Sequence, residues 1–226
     1  MQTVAPRYPH PRFAEPLPHE YLYAGLTVDP PTHAPVVRSS AKRDRVLDQC
    51  RALVREIETI DGVADATVFE AVLIPPLEGV PRFDVTLLTR TTTPDVLAHV
   101  QSSDRWQQLG ADFVMAARNT RRIGDTERTR SATFLFNHFT ADDAAGAVEA
   151  WEDLAGWYTA KTGADNSTLL QPTSEAPYAF INYVRLPHGA ARFMLAQLSR
   201  PSFHTYVRRT LRQHGMVALP LLCKPA

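Results

Sequence analysis

The sequence predicts an α+β protein: two tandem ferredoxin-like units (β-α-β-β-α-β) packed sheet to sheet as a pseudo-dimeric α/β barrel. Three observations lead there. The order strand, helix, strand, strand, helix, strand occurs twice along 226 residues. Landmarks recur at nearly the same offset in both passes: Gly62 and Gly163 close a first helix, Arg90 and Arg185 end a third strand, and Trp106 and Phe203 follow a short polar break. Each unit also has one helical layer for a two-faced sheet, so the bare face needs a partner, which the other unit can supply. Repetition in the same order predicts an internal duplication.

Residues 1–20 are rich in proline, which fixes φ and removes a backbone donor, so they predict an irregular arm. The first unit covers 21–120. "YLYAGLTVD" (21–29) is its opening strand, and a second proline-rich stretch, 29–36, leads away from it. The segment from Ser39 to Ile60 opens on capping serines and spaces Val46, Leu47, Cys50, Leu53, Val54 and Ile57 helically. "ADATVFEAVLI" (64–74), stopped by Pro75 and Pro76, and "RFDVTLLTR" (82–90) are strands, Asp95–Leu109 a helix, and "DFVMAARNT" (112–120) the last strand. The polar stretch 121–130 reads as a linker.

The second unit covers 131–226. "SATFLFNHFT" (131–140) opens it, followed by a helix over 141–163 with acidic residues in its first turn and a glycine at its end. Strands follow at 166–172 and 178–185. The helical stretch 189–215 must kink or divide at Pro201, and "MVALPLLC" (216–223) closes the unit.

Composition narrows the function classes. Hydrophobic content of 44%, charged content of 21% and a formal net charge of zero are those of a soluble globular chain without a field that recruits nucleic acid or acidic membranes. Cys50 and Cys223 have neither the spacing of a disulfide framework nor that of a zinc site. The N-terminus lacks a signal-peptide pattern, and no apolar run approaches a membrane span, which together predict a cytoplasmic protein.

The second unit resembles a known family. "FLFNHFTADDAAGAVEAWEDLAGWY", "YAFINYVR" and "SRPSFHTYV" are similar to the antibiotic biosynthesis monooxygenase-like domains of the dimeric α/β-barrel superfamily. The similarity covers 131–223 well and 21–120 more loosely. It implies a pocket between sheet and helices in which a small aromatic molecule of quinol, anthrone or polyketide type meets O2 without metal, flavin or other cofactor. It also implies a barrel that is a monomer (as a pseudo-dimer) or a homodimer. Such chemistry needs a site that excludes water, accepts a proton and stabilises negative charge.

Candidate catalytic residues follow. Asn137 matches the family's strand asparagine as a donor to substrate or oxygen; the alternative is a side chain satisfying nearby backbone. Adjacent strand residues face opposite sides, so with Asn137 toward the helices, His138 belongs to the interface between the sheets. Tyr183 and Arg185 share a strand face where a cation beside a phenol can hold a phenolate, although Arg185 also fits a strand-end salt bridge. His204 can reach a cavity mouth or face solvent. Trp151 and Tyr158 share a helical face, as packing or as an aromatic wall, and Phe193 and Phe203 are further candidates for substrate binding. Two alternatives remain: a non-catalytic binding or accessory protein, and a haem-binding or haem-degrading one. Against haem, Val207 occupies the expected ligand position, and "VRLPHG" stands where a distal tryptophan would. The first unit's opening strand has no counterpart of Asn137 or His138, which predicts that the second unit alone keeps a pocket.

Overall fold

In the computed structural model, which describes residues 7–32, 34–129 and 131–226, eight strands close into one antiparallel barrel. Residues 1–6 of the arm, His33 of the second proline-rich stretch and Arg130 of the expected linker lie outside the described residues. The elements run β1 (Phe13–Ala14), β2 (Glu20–Leu26), α1 (Ala41–Ile57), β3 (Val63–Leu73), β4 (Val85–Thr91), α2 (Pro94–Ser102), α3 (Asp104–Gln108) and β5 (Phe113–Ile123). Then follow β6 (Phe134–Thr140), α4 (Ala144–Thr162), β7 (Ser167–Pro172), β8 (Phe180–Arg185), α5 (Ala190–Leu198), a π-turn (Phe203–Val207), α6 (Arg208–Gln213) and β9 (Val217–Pro225).

Both units have the ferredoxin-like strand order, β5-β2-β4-β3 in the first and β9-β6-β8-β7 in the second. Their edges do not stay open. β3 pairs with β9, and β5 pairs with β7, so each exposed edge is satisfied by the other unit's backbone. This closure needs β5 to run to Ile123, so the first residues of the stretch expected as a linker form ladder pairs with β7. The two-residue β1 adds to the same stretch of β5.

Helix boundaries follow their caps. The Ser40 side chain accepts from Arg43 N–H at the start of α1, and the Asp143 side chain accepts from Ala145 N–H at the start of α4. α4 therefore begins at Ala144, later than its acidic residues imply, and Asp143 acts as a cap rather than within the first turn. Gly163 ends α4 at φ 73°, a left-handed conformation that favours glycine. Pro201 divides the last helical stretch as its ring requires, and the chain resumes through the π-turn, where Arg208 N–H donates to Phe203 O.

Two kinds of core result. Inside the barrel lie Tyr21, Tyr23, Phe69, Phe134, Phe136 and Tyr183. Outside it, Leu47, Cys50, Leu53, Ile57, Val100 and Trp106 fill the space between sheet and helices in the first unit. No helix among the described residues is long and apolar enough to cross a membrane.

Candidate functional site

Strand alternation builds the site. On β6, Leu135, Asn137 and Phe139 face the helices, while Phe134, Phe136 and His138 face the barrel interior. β8 pairs with β6 so that Asn182 stands directly opposite Asn137. These two amides, with Asn166 and Ser167 beside them, form the polar part of a cavity walled mainly by apolar side chains.

The cavity has two compartments. An inner one of about 50 Å³ lies beneath α4, against Trp151, Leu154, Ala155 and Val184. An outer one of about 690 Å³ opens between α5, the π-turn, α6 and the Pro75–Leu77 loop of the first unit. Leu135, Asn137, Tyr158 and Phe193 border both. The outer volume is that of a pocket for a small organic ligand. The π-turn brings Phe203 and Val207 to its wall, and α6 brings Arg208 and Arg212, the only ionised side chains on it among the described residues.

Asn137 is 8% exposed, and its Oδ1 has no hydrogen-bond partner. Its neighbours are engaged. Ser167 Oγ donates to Asn182 Oδ1, and the Asn166 amide is used on the Arg185 backbone, accepting from its N–H at 2.8 Å and donating to its C=O at 2.8 Å. A buried acceptor left unpaired costs about 1–3 kcal/mol. The Asn137 side chain lines the cavity, so a small rotation of its amide would bring a polar atom to a bound ligand.

The expected site residues separate into two groups. Trp151, Tyr158 and Phe193 line the cavity with Asn137, and Phe203 lines its outer part. The Tyr158 hydroxyl donates to Gln197 Oε1 (3.1 Å), and burial raises its pKa well above the ordinary phenol value. Tyr183 and Arg185 do not join them, because alternation sends both away from the helices. Tyr183 packs inside the barrel against Phe134 (5.4 Å) and Phe136 (4.9 Å), and burial raises its pKa, the reverse of a stabilised phenolate. The Arg185 guanidinium donates to Asp125 O (3.3 Å) and faces Asp165 (3.5 Å), the strand-end ion pair. His204 is exposed, its Nε2 at 2.9 Å from Leu198 O, and is not on the cavity wall. Thr159, Asn166 and Ser167 are polar wall residues that sequence reasoning missed, and so is Asn182. Its signal was the alternation of β8, legible only once the β6–β8 register is known.

His138 lies at the sheet interface, fully buried. Its Nδ1–H donates to Leu219 O (3.3 Å), which leaves Nε2 to accept from Tyr23 OH (3.1 Å). Burial lowers its pKa to about 4, so it stays neutral.

Register also locates the counterparts in the first unit. Arg90 stands opposite Tyr21 as Arg185 stands opposite Phe134, so Ala24 and Leu87 occupy the places of Asn137 and Asn182. Both are fully apolar and belong to the packed core under α1 and α2.

No family model matches the sequence, and no curated protein matches it. Solved structures do match in shape. An anthrone oxidase-like protein superposes with TM-score 0.61 at 11% identity, over 91% of this chain and 90% of its own. A candidate monooxygenase from Lactobacillus acidophilus NCFM gives 0.53 at 9%, over 92% and 98%. A variant of chlorite dismutase from Candidatus Nitrospira defluvii gives 0.51 at 12%, over 94% and 93%. The chain has the dimeric α/β-barrel fold. Nearly full coverage of both chains means that the whole two-unit barrel, not one half, is shared. Among the described residues of this α/β barrel, neither compartment is lined by a histidine or cysteine, so no haem ligand of those two kinds faces the cavity, and His204 lies off both walls.

Proposed function

We propose that this barrel is a cofactor-independent monooxygenase for a flat, acidic aromatic molecule of quinol, anthrone or polyketide type, bound in the cavity of the second unit. The unpaired Asn137 Oδ1 in an aromatic-walled cavity carries the reading. A phenolic or enolic O–H satisfies that acceptor, and after ionisation the same amide turns its N–H toward the oxyanion.

Among the described residues, the cavity walls bear no carboxylate and no histidine. The substrate must therefore be acidic enough to lose its proton to water in the open outer compartment. Arg208 and Arg212 at the mouth favour the anion that results. The anion then reduces O2 directly. For an activated CH2 group the balance is CH2 plus O2 to C=O plus H2O. A C–O bond forms through a hydroperoxide, one oxygen atom stays in the product, the other leaves as water, and the substrate supplies all four electrons.

The missing wall base also favours a second reading, a binding or accessory protein with no turnover. Oxygen consumption on a panel of anthrones and quinols, with no metal or flavin added, separates the two. Turnover that falls at least tenfold in Asn137→Ala, about 1.4 kcal/mol or more of lost transition-state stabilisation, supports the oxygenase. Binding of the panel with no oxygen uptake supports the accessory reading.

A further inference from the structure

We propose that the inner compartment is a binding site for dioxygen, set behind the aromatic substrate and separated from it by Asn137. The inference rests on the oxygenase reading and assigns the second substrate its own place. The inner volume of about 50 Å³ exceeds the roughly 10–15 Å³ that one water-sized probe occupies, yet it is far too small for an aromatic ring system. It is not shared with the first unit, where Ala24 and Leu87 stand among packed side chains.

Its wall is mainly apolar, as suits a diatomic gas. Asn182 Oδ1 is taken by Ser167, Asn166 is taken by the Arg185 backbone, and Thr159 lies at the exposed edge. The polar atoms left belong to the Asn137 and Asn182 amides, which stand side by side on one edge of the compartment. The remaining wall is hydrocarbon and aromatic, including Leu135, Leu154, Ala155 and Val184. Asn137, Leu135, Tyr158 and Phe193 border both compartments, so gas held inside meets a ring held outside across the Asn137 amide.

The test uses the full chain without substrate. Methyl relaxation measured by NMR under oxygen pressure reads O2 occupancy directly, because the gas is paramagnetic. The methyl groups of Leu135, Leu154 and Val184 should relax several-fold faster than those of Leu47, Leu53 and Val100, which are comparably buried in the first unit. The excess should vanish in Ala155→Leu, which fills the compartment, and fall in the milder Ala164→Val should the first variant misfold. No excess in the native protein, an excess untouched by a folded filling variant, or a crystallographic water occupying the compartment on Asn137 Oδ1 overturns the proposal. Occupancy is read without turnover, so a failed oxygenase assay and a failed gas site remain distinct results.

Discussion

The phenol of Tyr23, on the opening strand of the first unit, donates to His138 Nε2, on the opening strand of the second, across 3.1 Å inside the barrel. The ring of His138 also packs against Tyr178 at 4.8 Å and approaches Phe83 at 6.3 Å. Every polar group of this pair is used by protein, and no solvent reaches the imidazole. The hydrogen bond therefore joins the two units at their core, and it requires a neutral histidine.

That requirement predicts a pH dependence. The folded pKa of His138 is about 4, below its ordinary value of 6.5, because burial opposes the charged form. The unfolded chain thus binds more protons between these values, and stability must fall as pH drops from about 6.5 to 4. A shift of this size corresponds to at most about 3–4 kcal/mol. Denaturant melts at pH 7 and pH 4.5 should show a smaller loss for His138→Phe than for the native chain. Equal losses would mean that carboxylates elsewhere carry the acid sensitivity.

Asn137 predicts a trade between stability and function. Its Oδ1 is buried without a partner, so replacing the side chain by a similarly sized apolar one removes a desolvation penalty. Asn137→Leu should gain about 1 kcal/mol, a rise in Tm of about 2–4 °C for a chain of this size. The same variant should lose affinity for aromatic ligands of the oxygenase panel. A lower Tm would show that the amide is satisfied in solution by a group other than ligand.

The opening strand shows what the residues alone could reveal. In "FLFNHFT" the period of two assigns Asn137 to the helix side and His138 to the interface, and the structure has them there. The pairing partner of a strand is a different matter. Nothing local in "YAFINYVR" says which of its residues stands opposite Asn137, so Tyr183 and Arg185, chemically the more eloquent, drew attention from Asn182. Pro201 announced a break, but the π-turn that sends Phe203 and Val207 to the cavity depends on how the chain resumes after it. The compartments depend on volumes left between side chains, which no spacing encodes.

A buried ion pair, also set by tertiary structure, anchors the first unit. Asp84 accepts from Val28 N–H (2.7 Å), Asp29 N–H (2.8 Å) and Arg43 Nη1 (3.3 Å), with both charged side chains almost wholly out of solvent. Removing one partner strands the other charge, at about 3–5 kcal/mol. Asp84→Ala should therefore cost that much in urea unfolding, whereas Asp48→Ala, which removes an exposed pair with Arg51, should cost less than about 1 kcal/mol. Equal costs would sink the assignment of Asp84 as the anchor of this loop.

The N-terminal arm lies against α4 at a glycine, which predicts how to release it. A Cβ on Gly156 would stand 2.6 Å from Pro9 O and 2.9 Å from Tyr8 O, and backbone at such distances must move. Gly156 is helical, so alanine there favours the helix itself by up to about 1 kcal/mol. Gly156→Ala should thus leave the barrel's melting temperature nearly unchanged while lifting the arm, breaking the His10–Asp153 contact (2.7 Å) and the Tyr8–Tyr206 packing (4.8 Å). Trypsin should then cut after Arg12 much faster than in the native chain. Tyr8 packs on the cluster of Leu154, Trp157 and Val207, two of which also line the cavity, so ligand affinity should weaken in parallel. Unchanged cleavage would mean that α4 shifts to keep the arm, and the cavity between α4 and the sheet would then change shape instead.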